Sequence, residues 1–330
     1  MPYTDLPVHQ LREHTSEVTA PADLYDFWTQ TLAQVREHDL AATFTPVETG
    51  LAVIDTFDVS FAGFGGQPVR GWLRMPTVRS GPLPTVVEYV GYGGGRGLAH
   101  ERLIWAAAGY AHLVMDTRGQ GSSWSVGDTP DTEAAGLAGA PAHPGYLTRG
   151  VLDPLTYYYR RVFTDAVRAV EAVRTHEAVD PARVAVTGGS QGGGISLAVA
   201  GLVDDLVGVA PDVPFLCDMP RAVTISGADP YGEVARFLRA HRHRVDDVLR
   251  TLAYFDGCVL GARASAPALF SVALMDEVCP PSMVYAAYNS YGGARAIREY
   301  AFNGHEGGEG FHEIVKLRWL ADLVAGTGGQ

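Results

Sequence analysis

Between residues 21 and 37 apolar side chains recur at helical spacing. Leu24, Phe27, Trp28, Leu32 and Val35 fall on one stripe, and Pro21-Ala22-Asp23 opens the run. That pattern predicts an amphipathic helix. The period then shortens. Residues 55–61 alternate, and residues 69–75 form a second β-like run after a Gly-Gly-Gln-Pro turn, so the pair reads as an antiparallel hairpin.

From Pro84 onward short apolar runs alternate with helical patterns. Strands are expected at 85–90, 111–115, 183–187, 268–274 and 297–302. Helical patterns cover the stretch around Trp105 and Ala106, and residues 157–176, 191–202, 281–291 and 311–324. In 157–176, Phe163, Ala166, Val167, Val170 and Val173 share one face, the mark of an amphipathic helix. Strand alternating with helix over this length predicts an α/β fold with a mostly parallel sheet covered on both faces. Ligands in such sheets sit beyond the carboxyl ends of the strands. The loops to examine therefore follow Val90, Met115, Thr187, Leu274 and Phe302.

Residues 211–264 break the rhythm. They hold Arg236, Arg239, His241, Arg242, His243, Arg244 and Arg250 in helix-permissive sequence, which reads as a solvated helical insertion. The 330 residues leave room for two domains. Chemistry-bearing loops spread from Gly91 to His305 need one continuous sheet, so a single domain over 1–330 is expected.

Charge narrows the partners. Asp and Glu number 37 against 25 Lys and Arg, a net charge of −12, which disfavours a nucleic-acid role. Lys316 is the only lysine, and this reads as compositional bias toward arginine. Cys217, Cys258 and Cys279 are too few and too scattered for a disulfide framework or a structural zinc site. Residues 1–13 lack an apolar segment behind a basic one, and no apolar run approaches a membrane span. The expectation is a cytoplasmic protein with no membrane partner.

Gly188-Gly189-Ser190-Gln191-Gly192 matches G-x-S-x-G between a predicted strand and a predicted helix. That is the setting of a nucleophile elbow, where Gly188 and Gly192 let strand and helix approach and expose the serine. A serine nucleophile needs a base and an orienter, in the order Ser, Asp or Glu, His. His305 follows the last predicted strand directly, and Asp276 follows the one before it. Glu277 competes with Asp276 but lies one residue farther from the strand end. His241 and His243 fall in the charged insertion, and His312 lies in the closing helix. The glycine-rich loop Gly91-Tyr92-Gly93-Gly94-Gly95 is placed to supply an oxyanion donor from Tyr92 N–H, paired with Gln191 N–H.

Rival chemistries fit poorly. G-x-G-x-x-G fails in the 91–97 loop, and no Walker A lysine exists. His305-Glu306 is not H-E-x-x-H, because residue 309 is Glu309. No metal or other cofactor is expected. A serine peptidase of the prolyl-oligopeptidase type shares the predicted fold but normally carries a large lid domain. A non-catalytic binding protein on a hydrolase scaffold normally lacks a triad member.

Arg118-Gly119-Gln120, Gly188-Gly189-Ser190-Gln191-Gly192 and His305-Glu306 together resemble the RGQ…GxSQG…HE signature of carbohydrate esterase family 7. That family comprises acetyl xylan esterases and cephalosporin C deacetylases of the α/β-hydrolase superfamily. Residues 157–171, 216–222 and 273–281 also look like family sequence. The resemblance implies Ser190 as nucleophile, Asp276 and His305 as its partners, and Tyr92 and Gln191 as oxyanion donors. It implies deacetylation of small acetylated sugars and cephalosporin C, no cofactor, and a homohexamer. Arg118 and Glu306 are expected to brace loops rather than touch substrate.

Overall fold

The computed structural model describes residues 3–132 and 141–327. Its strands are β1 (Thr43–Val47), β2 (Ile54–Ala62), β3 (Pro68–Pro76), β4 (Leu83–Tyr89), β5 (Ala111–Met115), β6 (Val179–Gly189), β7 (Gly208–Asp212), β8 (Ala268–Ala273) and β9 (Arg295–Tyr300). They form one sheet in the order β1-β2-β3-β5-β4-β6-β7-β8-β9. β1, β2, β3 and β5 pair antiparallel, and β5 through β9 run parallel.

Side-chain alternation along the strands gives the sheet two apolar faces. Val87 and Val186 pack with Phe163 and Ile195, beneath helices Tyr158–Val173 and Gln191–Leu202. Their neighbours Val86 and Ala185 point the other way, onto Trp105 and Leu320. The predicted hairpin is present as β2 and β3, with Val59 opposite Gly71.

The structure corrects the sequence reading in four places. β1 was not predicted. It is a largely exposed edge strand in which Pro46 interrupts the Thr-Phe-Thr run, so its β signal is too short to stand out. β7 was not predicted either. Pro211 is its penultimate residue and reads as a break, so the insertion starts after Asp212 rather than at 211. The insertion itself consists of helices Met219–Ile225, Tyr231–Ala240, Val245–Ala253 and Gly257–Gly261. The last strand ends at Tyr300, leaving Phe302 exposed in the following loop.

The fourth correction concerns helix Tyr158–Val173. Every residue in it except Glu171 is buried, not only one face. Its arginines are tolerated there because each is met by partners. Arg160 Nε donates to Thr31 Oγ1 at 3.0 Å, Arg161 Nη2 to Asp131 Oδ2 at 2.7 Å, and Arg168 Nε to the Ala62 carbonyl at 3.0 Å. Helix Leu24–Arg36 supplies part of this cover.

Trp28 links that N-terminal helix to the insertion. Its ring stacks on Phe163 at 6.0 Å and meets Phe255 edge-on at 5.5 Å, and its Nε1–H donates to the Tyr254 carbonyl at 3.0 Å. Trp28→Ala should destabilise the fold by about 3–5 kcal/mol. Urea titration followed by far-UV circular dichroism measures this, and an unchanged midpoint would contradict the packing role.

Candidate active site

β6 and helix Gln191–Leu202 meet at Ser190, whose backbone sits at φ 56°, ψ −118°. A non-glycine residue there is strained and holds only when its surroundings over-determine it. They do so here. Ser190 N–H donates to the Asp212 carbonyl at 2.9 Å, and the Ser190 carbonyl accepts from Phe215 N–H at 2.9 Å and Gly194 N–H at 3.1 Å. The strand and helix also press together at the Tyr89 carbonyl. A Cβ on Gly192 would lie 2.0 Å from that oxygen, and one on Gly188 2.5 Å from it. Only glycine fits at either position.

The residues predicted as partners converge on this serine. His305 Nε2 lies 2.9 Å from Ser190 Oγ, and His305 Nδ1 lies 2.8 Å from Asp276 Oδ2. Asp276 is fully buried. Its other oxygen, Oδ1, accepts from Val278 N–H at 2.8 Å and Cys279 N–H at 2.9 Å, so the carboxylate cannot swing away from the histidine. Glu277 is exposed and lies outside the cavity described below. Burial pushes the Cys279 thiol well up, consistent with an inert packing residue. His241 is half-buried and His243 exposed in the insertion, away from the serine.

Tyr92 and Gln191 stand on either side of Ser190, and among the described residues neither backbone N–H is taken by an acceptor. The Gln191 side chain is fully engaged instead. Its Oε1 accepts from Tyr159 OH at 2.8 Å and Gln120 Nε2 at 2.9 Å, and its Nε2 donates to the Val90 carbonyl at 3.0 Å. Gln120 Oε1 accepts from Gly93 N–H at 2.7 Å. Gln120 thus ties the 91–95 loop to the elbow.

Arg118 is buried and braces the same region from below. It donates to Asp165 at 2.5 and 2.8 Å and to Gln67 Oε1 at 2.8 Å. Gly119 adopts φ 70° in the tight turn between Arg118 and Gln120, and its carbonyl accepts from Tyr146 OH. Glu306 curls back on its own loop, accepting from Gly304 N–H at 3.0 Å and Asn303 Nδ2 at 3.0 Å. Its own backbone N–H, followed by that of Gly304 and the Asn303 amide, holds its carboxyl below the usual range. Arg118 is thus tied to Asp165 and Gln67, and Glu306, which also lines the cavity described below, to its own loop.

Ser190 and His305 line a cavity of about 500 Å³ together with Tyr92, Trp124 and Val213 and the charged side chains of Glu88, Arg102, Asp212, Asp229, Glu306, Glu309, Glu313 and Lys316.

A model of the family described as acetyl xylan esterase matches residues 1–323. The chain belongs to the acetyl xylan esterase family. An acetyl xylan esterase from Paenibacillus sp. R4 superposes with a TM-score of 0.90 at 39% identity, covering 96% of this chain and 99% of that one. Acetyl xylan esterase 1 from Thermoanaerobacterium sp. JW/SL YS485 gives 0.86 at 30% identity, over 97% and 99%. An acetyl esterase of Xylanibacter ruminicola is 26% identical over 82% of this chain, and the chain spans 60% of that protein's length. The α/β-hydrolase fold expected from the motifs is the one observed.

Several residues around the site of this acetyl xylan esterase family member escaped the sequence reading. Asp212 ends the unpredicted strand β7. Lys316, read as compositional bias, is buried and pairs with Asp212. His312 is buried, with Nε2 2.9 Å from Asp212 Oδ1 and Nδ1 2.9 Å from Tyr300 OH. Burial opposes the charge on Asp212, but Lys316 and His312 outweigh it and hold the carboxyl below its usual range. The spacing of His312 and Lys316 by four residues in one helix was the available signal.

Glu233 is the other omission. It reaches from helix Tyr231–Ala240 to accept from Tyr92 OH at 2.6 Å and from Leu147 N–H at 3.0 Å. Tyr92 OH in turn accepts from Tyr146 N–H at 2.6 Å. Burial pushes the Glu233 carboxyl up. Glutamine at this position would leave either the Tyr92 hydroxyl or the Leu147 N–H without an acceptor. Glu233→Gln should cost about 1–3 kcal/mol of stability, read from the urea midpoint at neutral pH. A midpoint equal to that of the unaltered protein would contradict the clamp.

Proposed function

We propose that this protein is a serine esterase that removes acetyl groups from small acetylated carbohydrates through an acyl-enzyme. One observation carries the reading: the unbroken hydrogen-bonded line from Asp276 through His305 to Ser190 Oγ, at 2.8 and 2.9 Å, opening into the cavity. Membership of the acetyl xylan esterase family supports the choice of ester.

Ser190 Oγ attacks the acetyl carbonyl while His305 Nε2 takes its proton. The carbonyl electrons collect on an oxyanion held by the backbone N–H groups of Tyr92 and Gln191, each donor contributing about 2.7–4 kcal/mol in the transition state. Collapse expels the sugar alkoxide, which leaves with the proton from His305. Water then attacks the acetyl-Ser190 ester, giving its proton to His305. Acetate departs as Ser190 recovers its hydrogen. Asp276 fixes the imidazole tautomer throughout and stabilises the imidazolium. Cephalosporin C, an acetyl ester with an ionised leaving group, is the competing substrate within this reading.

Ser190→Ala should abolish p-nitrophenyl acetate hydrolysis while leaving the circular dichroism spectrum intact. Turnover retained by the folded variant would refute the assignment. Asp276→Asn should lower kcat by about 10⁴-fold, whereas Glu277→Gln should leave it nearly unchanged. Steady-state kinetics on the same ester compares them, and the opposite ranking would exchange their roles.

A further inference from the structure

The carbonyl that holds Ser190 belongs to a strand end that its own backbone secures poorly. β7 stops at Asp212, whose carbonyl accepts from Ser190 N–H at 2.9 Å. Pro211, just before it, has no N–H to give to a ladder. On its other side β7 meets β8 in register with Val209 opposite Ala268 and Asp212 opposite Ser271. Val213, just after it, sits at φ 37°, an unfavourable backbone for a β-branched side chain.

The Asp212 side chain supplies the missing anchor. Its Oδ1 accepts from Ser271 Oγ at 3.2 Å, and the same Oγ accepts from Val213 N–H at 3.2 Å. Its Oδ1 also lies 2.9 Å from His312 Nε2, and its Oδ2 pairs with Lys316. Helix Glu309–Thr327 carries His312 and Lys316 four residues apart, on one face. Lys316 is only 9% exposed. Burial opposes its charge, but Asp212 outweighs that, with Glu88 and Glu313 adding to it, and the ammonium titrates above the usual lysine value. It is therefore charged at neutral pH.

The same helix reaches the loop that carries His305. His312 Nδ1 lies 2.9 Å from Tyr300 OH, and the Tyr300 ring packs so tightly on Gly308 that a Cβ there would sit 2.2 Å from it. One helix face thus contacts both the strand end that holds the serine and the tyrosine beneath the histidine loop.

We propose that Lys316 is a positioning residue for Ser190 that acts through Asp212. The ion pair fixes the carboxylate, the carboxylate fixes the strand end, and the strand-end carbonyl keeps the serine in its strained turn, with Oγ 2.9 Å from His305 Nε2. A backbone at φ 56° relaxes unless its neighbours over-determine it, and the Asp212 carbonyl is one of those neighbours. Without Lys316 the carboxylate is left short of its cation, and an uncompensated charge of this kind turns toward solvent or takes up a proton. Either change frees the strand end, and the bond to Ser190 N–H loosens with it. The proposal rests on the reading of Ser190 as the nucleophile.

Lys316 also lines the cavity, so positioning must be told apart from contact with the ester. Lys316→Met, shown to be folded by circular dichroism, should lower kcat on p-nitrophenyl acetate and on ethyl acetate by a similar factor, about 10- to 100-fold. KM should move by less than about twofold. A side chamber of about 140 Å³ adjoins Lys316, with room for a guanidinium, so Lys316→Arg should keep kcat within about threefold of the unaltered protein. An unchanged kcat in Lys316→Met, a loss confined to one ester or carried by KM, or an arginine variant as slow as the methionine one overturns the proposal. Ser271→Ala removes another hold on the same carboxylate and should lower kcat alone by about 3- to 10-fold. It decides the matter if Lys316→Met does not fold, and an unchanged kcat there overturns the proposal. Labelling by a fluorophosphonate separates the two readings. Failure to label Ser190 in the unaltered protein refutes the nucleophile and the proposal with it, whereas equal labelling rates in the unaltered protein and Lys316→Met refute the positioning role alone.

Discussion

The Tyr89 carbonyl at the end of β4 presses against the turn from β6 into its helix. Gly188 and Gly192 both face that oxygen at distances no side chain tolerates. Because the backbones meet there, the serine between them is thrown out of the sheet at positive φ, and the following helix starts against the strand ends. The Asp212 carbonyl holds Ser190 N–H in that strained position. The rest of the site is arranged around a point that has almost no freedom to move, which is how such backbone strain is sustained.

Around this point the protein uses buried polar networks rather than apolar packing. Gln120 joins the 91–95 loop to Gln191, Arg118 and Asp165 hold the loop beneath it, and Glu233 clamps the Tyr92 side chain from the insertion. Each network spans segments distant in sequence, and each is nearly saturated with hydrogen bonds. A satisfied polar network of this kind favours one arrangement, since any shift leaves buried donors unpaired. The insertion thereby becomes part of the site: through Glu233 it decides where Tyr92 stands.

The parallel core strands and their helices were legible because they are short apolar runs alternating with helical periods, and periodicity is the strongest local signal a chain carries. β1 and β7 were not, for opposite reasons. β1 is an exposed edge with a proline and little to bury. β7 is buried, but it is short and contains Pro211. The all-round burial of helix Tyr158–Val173 was equally hidden. Its arginines look solvated in sequence and are covered only when Thr31, Asp131 and the Ala62 carbonyl arrive from elsewhere.

Local order along the chain was enough to determine the elbow, the strand ends that carry Asp276 and His305, and the Gly-rich loop with Tyr92, because each depends on residue types at fixed short spacings next to a strand. Tertiary structure alone decided what shares the cavity with Ser190. Asp212, Lys316, Glu88, Arg102 and Trp124 come from five separate segments and share no spacing. Their convergence on one cavity depends on distances across the sheet ends, which no single stretch of sequence contains. Lys316 shows the difference most plainly. In the chain it is one lysine among many arginines, and in the fold it is a buried cation against Asp212, on the strand end whose carbonyl holds Ser190 in place.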